Sequence, residues 1–425
     1  MVAKKQNLKT SPWSWVPTAY FMEGLPFVMI ITVSSIMYKN FGLSNSQITY
    51  YTGWLMLPWS IKPLWAWFIE TFKTKRWWIY AMELTFASSL FLVAISLHTN
   101  YYFQLSLIAF AICTFASASH DIAVDGFYLM NLTSGEQSFF VGMLSSFYQS
   151  AKIFGSGVLV ILSGVFLAHS NHNVALSWSA VIIIATILAF AIGIYHMKVL
   201  PRTEVTTDNK NINTAIHQIK NIFISLFKLD QIWITILFAL TFRLGETMLA
   251  KIVPLFILDN RSSGGLGFDN TYVGLSNIFN LAAIIIAGIL GGVFISRFGL
   301  KKCLWPMLLV VNIPHIIFVY LAYAKPTNQI SVLALQALEH FTANISLTGY
   351  MMVLFYVVRD SKYKTAHYAF IAAIMMLTNM LPSMASGSLQ ELLGYRHYFV
   401  FILFAMIPSV LVIPFIKIDP KFGIK

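Results

Sequence analysis

Gly292-Val-Phe-Ile-Ser-Arg297-Phe-Gly299-Leu-Lys301-Lys302 is a basic, glycine-bearing turn between two long apolar stretches. An equivalent turn stands in the first half at Ala66-Trp-Phe-Ile-Glu70-Thr-Phe-Lys73-Thr-Lys75-Arg76, where an acid is present as Glu70 and the glycines are absent. Both turns are cationic and follow an apolar stretch. Glycine permits close approach of the flanking helices. Glu70, Lys75, Arg76, Arg297 and Lys301 are then the candidate latch of a cytoplasmic gate.

The rest of the chain fits that frame. It has 425 residues, 58% of them hydrophobic and 10% charged, whereas a soluble domain carries about 25% charged residues. Apolar runs of about 20 residues cross a bilayer as helices. Twelve are read at 14–38, 47–70, 77–98, 101–130, 138–168, 174–198, 230–258, 270–296, 301–323, 329–357, 365–392 and 396–416. The polar stretch 199–229 divides them into an N-terminal bundle (1–198) and a C-terminal bundle (230–425). Its later part, 215–228, has helical apolar spacing and basic ends, which suits a helix on the inner membrane surface or an extension of the seventh span. With both termini inside, 20 of the 28 Lys and Arg fall on inner segments and 4 on outer loops. That is the positive-inside bias of an inner-membrane protein with cytoplasmic ends. Scattered over short loops, the formal charge of +12 marks membrane orientation rather than nucleic acid. Cys113 and Cys303 lie in or beside spans and suggest neither disulfide nor metal site. The first span follows directly on the basic start, without a short leader and small-residue cleavage site. No cofactor is expected.

Function is concentrated in the ionisable residues placed within the spans. They are Glu23, Glu83, Asp121, Asp125, Glu246, Glu339 and Glu391, with Lys62, Lys152, Arg243 and Lys251. A charge at the bilayer centre costs about 2.5–3.5 kcal/mol or more, so such groups normally face a cavity. Asp121 and Asp125 are four apart and share a helix face, fit either for coupling protons and solute or for gate ion pairs with Lys62 or Lys152. Arg243 and Glu246, three apart, can neutralise each other or line a cavity near mid-membrane. Depth counting sets Glu23 and Glu339 beside them and predicts that Glu23, Arg243, Glu246 and Glu339 line the central cavity. Glu83, Lys251 and Glu391 count nearer the faces and are read as snorkelling or structural. Trp54, Trp59, Trp65 and Trp67 suit an interfacial belt and packing better than sugar stacking. Asn277, Asn280 and Asn379 suit helix–helix hydrogen bonds better than solute contacts.

The turn at 292–302 resembles the G-x-x-x-D-R-x-G-R-K loop of the major facilitator superfamily, with Ser296 in place of Asp. The fourth span, Ala116-Ser-Ala-Ser-His120-Asp121-Ile-Ala-Val-Asp125-Gly126-Phe-Tyr-Leu129, is similar to the Q-D-I-x-x-D-x-W signature of the AmpG-like muropeptide permease and acetyl-coenzyme A transporter family. His120 stands for Gln and Phe127 for Trp. Gly24-Leu25-Pro26, Lys62-Pro-Leu-Trp65, Arg243-Leu-Gly-Glu246 and the buried-type Glu339 resemble further parts of that family. It departs early in the fifth span, where the permeases have Arg and this chain has Gln149-Ser150 with Lys152 nearby.

The resemblance implies an all-helical carrier of twelve spans in two six-helix halves that rock around a central site. It further implies a monomer that imports an amphiphilic anion, a peptidoglycan-derived muropeptide, with protons. The substrate and coupling residues would be Glu23, Lys62, His120, Asp121, Asp125, Lys152, Arg243, Glu246 and Glu339. An acyl-coenzyme A carrier is the competing reading; its phosphates call for several convergent cations. From other classes, a non-transporting sensor and a membrane acyltransferase using His120 and Asp125 stand as alternatives, the latter because H-x-x-x-x-D spaces a base and its orienting acid. Direct ATP hydrolysis has no phosphate loop to support it.

Overall fold

The computed structural model describes residues 11–202, 221, 223–361 and 363–424, and all its regular elements among these are helical. The spans are α1 (Pro12–Asn40), α2 (45–71), α3 (Lys75–Ser96), α4 (Tyr102–Asn131), α5 (134–169), α6 (Val174–Val199), α7 (Ile232–Leu258), α8 (Asn270–Phe298), α9 (Leu300–Ala324), α10 (Gln329–Val358), α11 (364–393) and α12 (395–415). Among the described residues, ten helical stretches are long and apolar enough to cross a membrane. The difference from twelve has two causes. Pro58 and Pro63, near the starts of its second and third pieces, divide α2 into three short helices. Conversely, α11 and α12 run on as Lys364–Phe404, turned only at Gly394 with φ 69°. Within 199–229, residues 203–220 and 222 lie outside the described residues; of the expected surface helix at 215–228, residues 221 and 223–226 are helical, and Ser225 Oγ meets His367 Nε2 of α11 at 2.8 Å.

Side-chain caps start the helices where the chain enters. Ser44 with Gln47 and Thr133 with Glu136 form capping boxes on α2 and α5, satisfying amides that the first turn leaves unpaired. Asn173, Asp269 and Asn328 cap α6, α8 and α10. Two wide, π-helical turns interrupt α1 at Met29–Val33 and α5 at Ile153–Leu159; such turns often mark functional sites.

The paired turns divide the work of glycine differently from the expectation. Gly299 takes φ 82° to reverse the chain, but a side chain at Gly292 would meet open space; the glycine pressed against α10 is Gly291. In the first-half turn, the place of Gly299 is held by Lys73 at φ 60°. A side chain there costs about 1–2 kcal/mol, partly offset by the extra freedom glycine gives the unfolded chain. Lys73→Gly is therefore expected to stabilise the protein by about 0.5–1 kcal/mol, read as a raised Tm in detergent; an unchanged or lowered Tm would mean the backbone at 73 relaxes at no cost.

Two apolar clusters fill α1–α6; the larger continues into α7–α12, and in the smaller Trp15 is edge-on to Phe127 at 5.1 Å. In α7–α12, Phe238 and Phe242 stack on Tyr350. The halves meet at the end that carries the 41–44 turn. There α2 packs on α11, and α5 on α8. Lys39 pairs with Asp259 at 2.6 Å. Tyr395 donates to Asp259 at 2.5 Å, and Asn45 donates to Gln390 at 2.6 Å. Asn270 donates to Asn40 at 2.6 Å and to Ser163 at 3.0 Å. Gly387 lies against the backbone of Asn45, and Gly274 against that of Gly157, so the closure is made backbone to backbone.

Candidate functional site

Between the halves lies a cavity of about 380 Å³, bordered by α1, α5, α7, α8, α9 and α10 and not fully enclosed. Its charged wall is Lys152, Arg243, Glu246, Glu339 and His340. Arg243 stands where α7 breaks, with φ −111° between helices ending at Thr241 and restarting at Leu244. Its guanidinium pairs with Glu246 at 2.6 Å. The pair therefore neutralises itself and also faces the cavity. Glu339 is 3% exposed and accepts from His315 Nδ1 at 3.1 Å, while His340 Nδ1 is 3.9 Å away. Gln149 Oε1, Arg243 Nε and Asn280 Oδ1, all on residues of this wall, are buried without a hydrogen-bond partner among the described residues. Such atoms are costly unless something pairs with them. A second cavity of about 270 Å³ shares Thr32, Lys152, Arg243 and Glu246 with the first and adds Lys251 and Asn379.

A second charged cluster lies inside the first half. Lys62, in the break of α2, forms an ion pair with Asp121. Glu23 stands beside this pair on α1, its Oε2 buried without a hydrogen-bond partner among the described residues. Tyr20 donates to Asp125 at 3.2 Å. Asp121 and Asp125 thus share a face as their spacing requires. Glu23, expected in the central cavity, belongs here instead: depth counting fixes height, not the direction in which a helix points a side chain. Asp121 is paired by Lys62, not Lys152, which faces the cavity.

Further corrections concern residues assigned to the faces. Glu83 is 1% exposed and accepts from His196 Nδ1 at 2.7 Å and His120 Nε2 at 3.1 Å. His120 is therefore part of a buried Glu–His–His group, and the pair with Asp125 that an acyltransferase needs is not formed. Five helical residues rotate the chain by roughly 140°, which parts the two side chains. Lys251 does not snorkel. It is buried and donates to Ile31 O and Ser35 Oγ, both at 2.9 Å. Glu391 is exposed and accepts from Ser46 N at 2.8 Å.

Of the tryptophans, neither Trp59 nor Trp65 lines a cavity: Trp59 packs behind Phe27 of the second cavity, and Trp65 on Phe115. Asn277 bridges the halves to Ser156 O at 3.0 Å, and Asn379 accepts from Thr247 at 3.2 Å. Among the gate candidates, Arg76 donates to the Leu200 carbonyl at 2.9 Å and to that of Met197. Lys75 lies over Gly126. Arg297 sits on the ring of Phe298, and Glu70 and Lys301 are exposed. These contacts of Lys75 and Arg76, with Gly126, Met197 and Leu200, lie within the first half. The residues that join the halves, Lys39, Asn45, Asp259 and Tyr395, carry no sequence signal beyond being polar or aromatic at span ends.

Comparison with known proteins agrees with the architecture. A Rickettsia felis protein provisionally named transporter AmpG 4 is 22% identical over 413 residues, covering 93% of this chain and 94% of its own. Its Rickettsia conorii counterpart is 23% identical over 411 residues, covering 93% and 94%. The crystal structure of a D-xylose–proton symporter superposes with a TM-score of 0.71 at 15% identity, covering 96% of this chain and 97% of that one. The nucleoside transporter NupG gives 0.71 at 13%, covering 97% and 100%. The Major Facilitator Superfamily model matches residues 18–335. With that match over most of its length and this helical arrangement, the chain belongs to the major facilitator superfamily.

Proposed function

We propose that this protein is a secondary transporter that imports peptidoglycan-derived anhydro-muropeptides across a bacterial inner membrane, coupled to protons and working by alternating access as a monomer. The observation that carries the reading is the cavity between the halves, where Lys152 and Arg243 stand with Glu246, Glu339 and unpartnered amide oxygens. Cations there suit the carboxylates of a peptide stem, and amides suit acetamido and hydroxyl groups. The AmpG-named relatives, aligned over nearly the whole chain, support the solute class. The loop charges put both termini in the cytoplasm, so closure at the 41–44 end makes this an inward-facing state. In this reading each half is a rigid bundle, and the linker lets the two rock.

Two elements support proton coupling. Glu339 is a buried carboxyl on the cavity wall with two histidines beside it. In the second cluster three carboxyl groups, Glu23, Asp121 and Asp125, stand together with Lys62, and Tyr20 donates to Asp125. The test is uptake into proteoliposomes of labelled anhydro-muropeptide against acetyl-coenzyme A, with and without an imposed pH gradient. Gradient-driven accumulation of the muropeptide alone is the expected result. Movement of acetyl-coenzyme A instead would transfer the protein to the competing solute, and movement of neither would end the assignment of substrate.

A further inference from the structure

Lys251 is the unusual cation of this molecule. It is 6% exposed, and among the described residues no carboxylate lies within ion-pair distance of it. Its ammonium is held by two neutral acceptors, Ile31 O in the wide turn of α1 and Ser35 Oγ one turn later, each at 2.9 Å. An ammonium buried against neutral groups alone is a costly arrangement, and both acceptors belong to the opposite half of the protein. Lys251 also borders the second cavity, which continues through Lys152 and Arg243 into the first. Along α7 it lies about 12 Å, at 1.5 Å per residue, from both Arg243 and Asp259. Arg243 is in the cavity wall and Asp259 in the closure at the 41–44 end.

Closure and the holding of Lys251 are therefore one event. Separation of α1 from α7 at this end, the motion that opens it, removes both acceptors together. Three cations, Lys152, Arg243 and Lys251, would then face the cavities with two carboxylates, of which Glu246 is taken by Arg243 and Glu339 by His315.

We propose that Lys251 holds an oxyanion of the solute while the 41–44 end is open, and that Ile31 and Ser35 take the ammonium back on closure, so that the protein's own acceptors displace the solute toward the other side. The shared chemistry is that of a carboxylate or a phosphate oxygen. The assignment makes Lys251 a specificity residue and gives the carrier a built-in means of release. It rests on the reading of the protein as a carrier of an anionic solute.

The test measures binding of two probes, succinate and inorganic phosphate, to the detergent-purified full chain by thermal shift and titration. Asp259→Asn weakens the closure held by Lys39 and Tyr395. It is expected to tighten binding of at least one probe about tenfold, and adding Lys251→Met should abolish that gain. The probe that responds tells a carboxylate site from a phosphate site. In the otherwise wild-type chain, Ser35→Ala removes a competitor and is expected to tighten the same probe severalfold; a merely structural hydrogen bond would give no such gain. Equal binding with and without Lys251 in the Asp259→Asn background, no binding of either probe, or unchanged or weaker binding in Ser35→Ala would each overturn the proposal. Since neither probe is a muropeptide, Lys251-dependent binding without muropeptide uptake would leave this inference standing and remove only the substrate reading.

Discussion

Glu339→Gln is expected to abolish accumulation of solute against its gradient while leaving protein level and Tm intact. The amide has the shape of the carboxyl and still accepts from His315 Nδ1. What it loses is the capacity to take and give a proton. Coupled one to one, each pH unit sustains about tenfold accumulation, the equivalent of 1.36 kcal/mol. A gradient of about two units then supports a roughly hundredfold concentration ratio that the variant should bring to one. Proteoliposomes with an imposed pH gradient give the measurement. Accumulation at the wild-type level would remove Glu339 from coupling and leave it as a structural partner of His315.

A comparably large effect is expected from Gly387→Leu, for steric rather than electrostatic reasons. The Cβ of any side chain at 387 would run into the carbonyl of Asn45 and the hydroxyl of Thr49 on α2. Backbone cannot yield there as a flexible side-chain tip can, and overpacking of this kind typically costs about 1–3 kcal/mol. The cost falls on the closed arrangement alone, because α2 and α11 part when this end opens. The open state should gain about 5–150-fold in relative population, with uptake falling about fivefold or more. A cysteine at cavity residue Thr32 should become reactive to an impermeant thiol reagent from the 41–44 side. Unchanged transport and labelling would show that the seam at Gly387 yields elsewhere.

How far these features can be read without coordinates differs by kind. The spans are legible because a bilayer demands length and apolarity, and those are properties of a run of residues. The paired turns are legible through Gly299 and the basic residues behind it, although Lys73 hides the left-handed residue of the first turn. Asp121 and Asp125 share a face because a spacing of four dictates it. Partners are another matter. Glu83 draws His120 from α4 and His196 from α6, and nothing local to any of the three announces the others. Lys251, seven residues from the end of α7, looks like a side chain reaching for water. Only the packing of α1 against α7 makes it an internal donor. Glu23 fails the same way, at the expected height but turned toward Asp121. Height along a helix follows from counting, whereas azimuth and neighbour depend on how the bundle is assembled.

The corner at Gly394 carries a last consequence. Turns between helices are ordinarily where a chain tolerates tags and insertions. Here one glycine with φ 69° is the whole connection, and Asn45 is gripped from both of its sides, by Gln390 before it and Tyr395 after it. It acts as a joint in a pair of pliers rather than a slack tether. Added residues would spread the jaws, so the place that resembles an ordinary loop tip in a topology diagram is among the least suitable in the molecule for an epitope or a fused reporter.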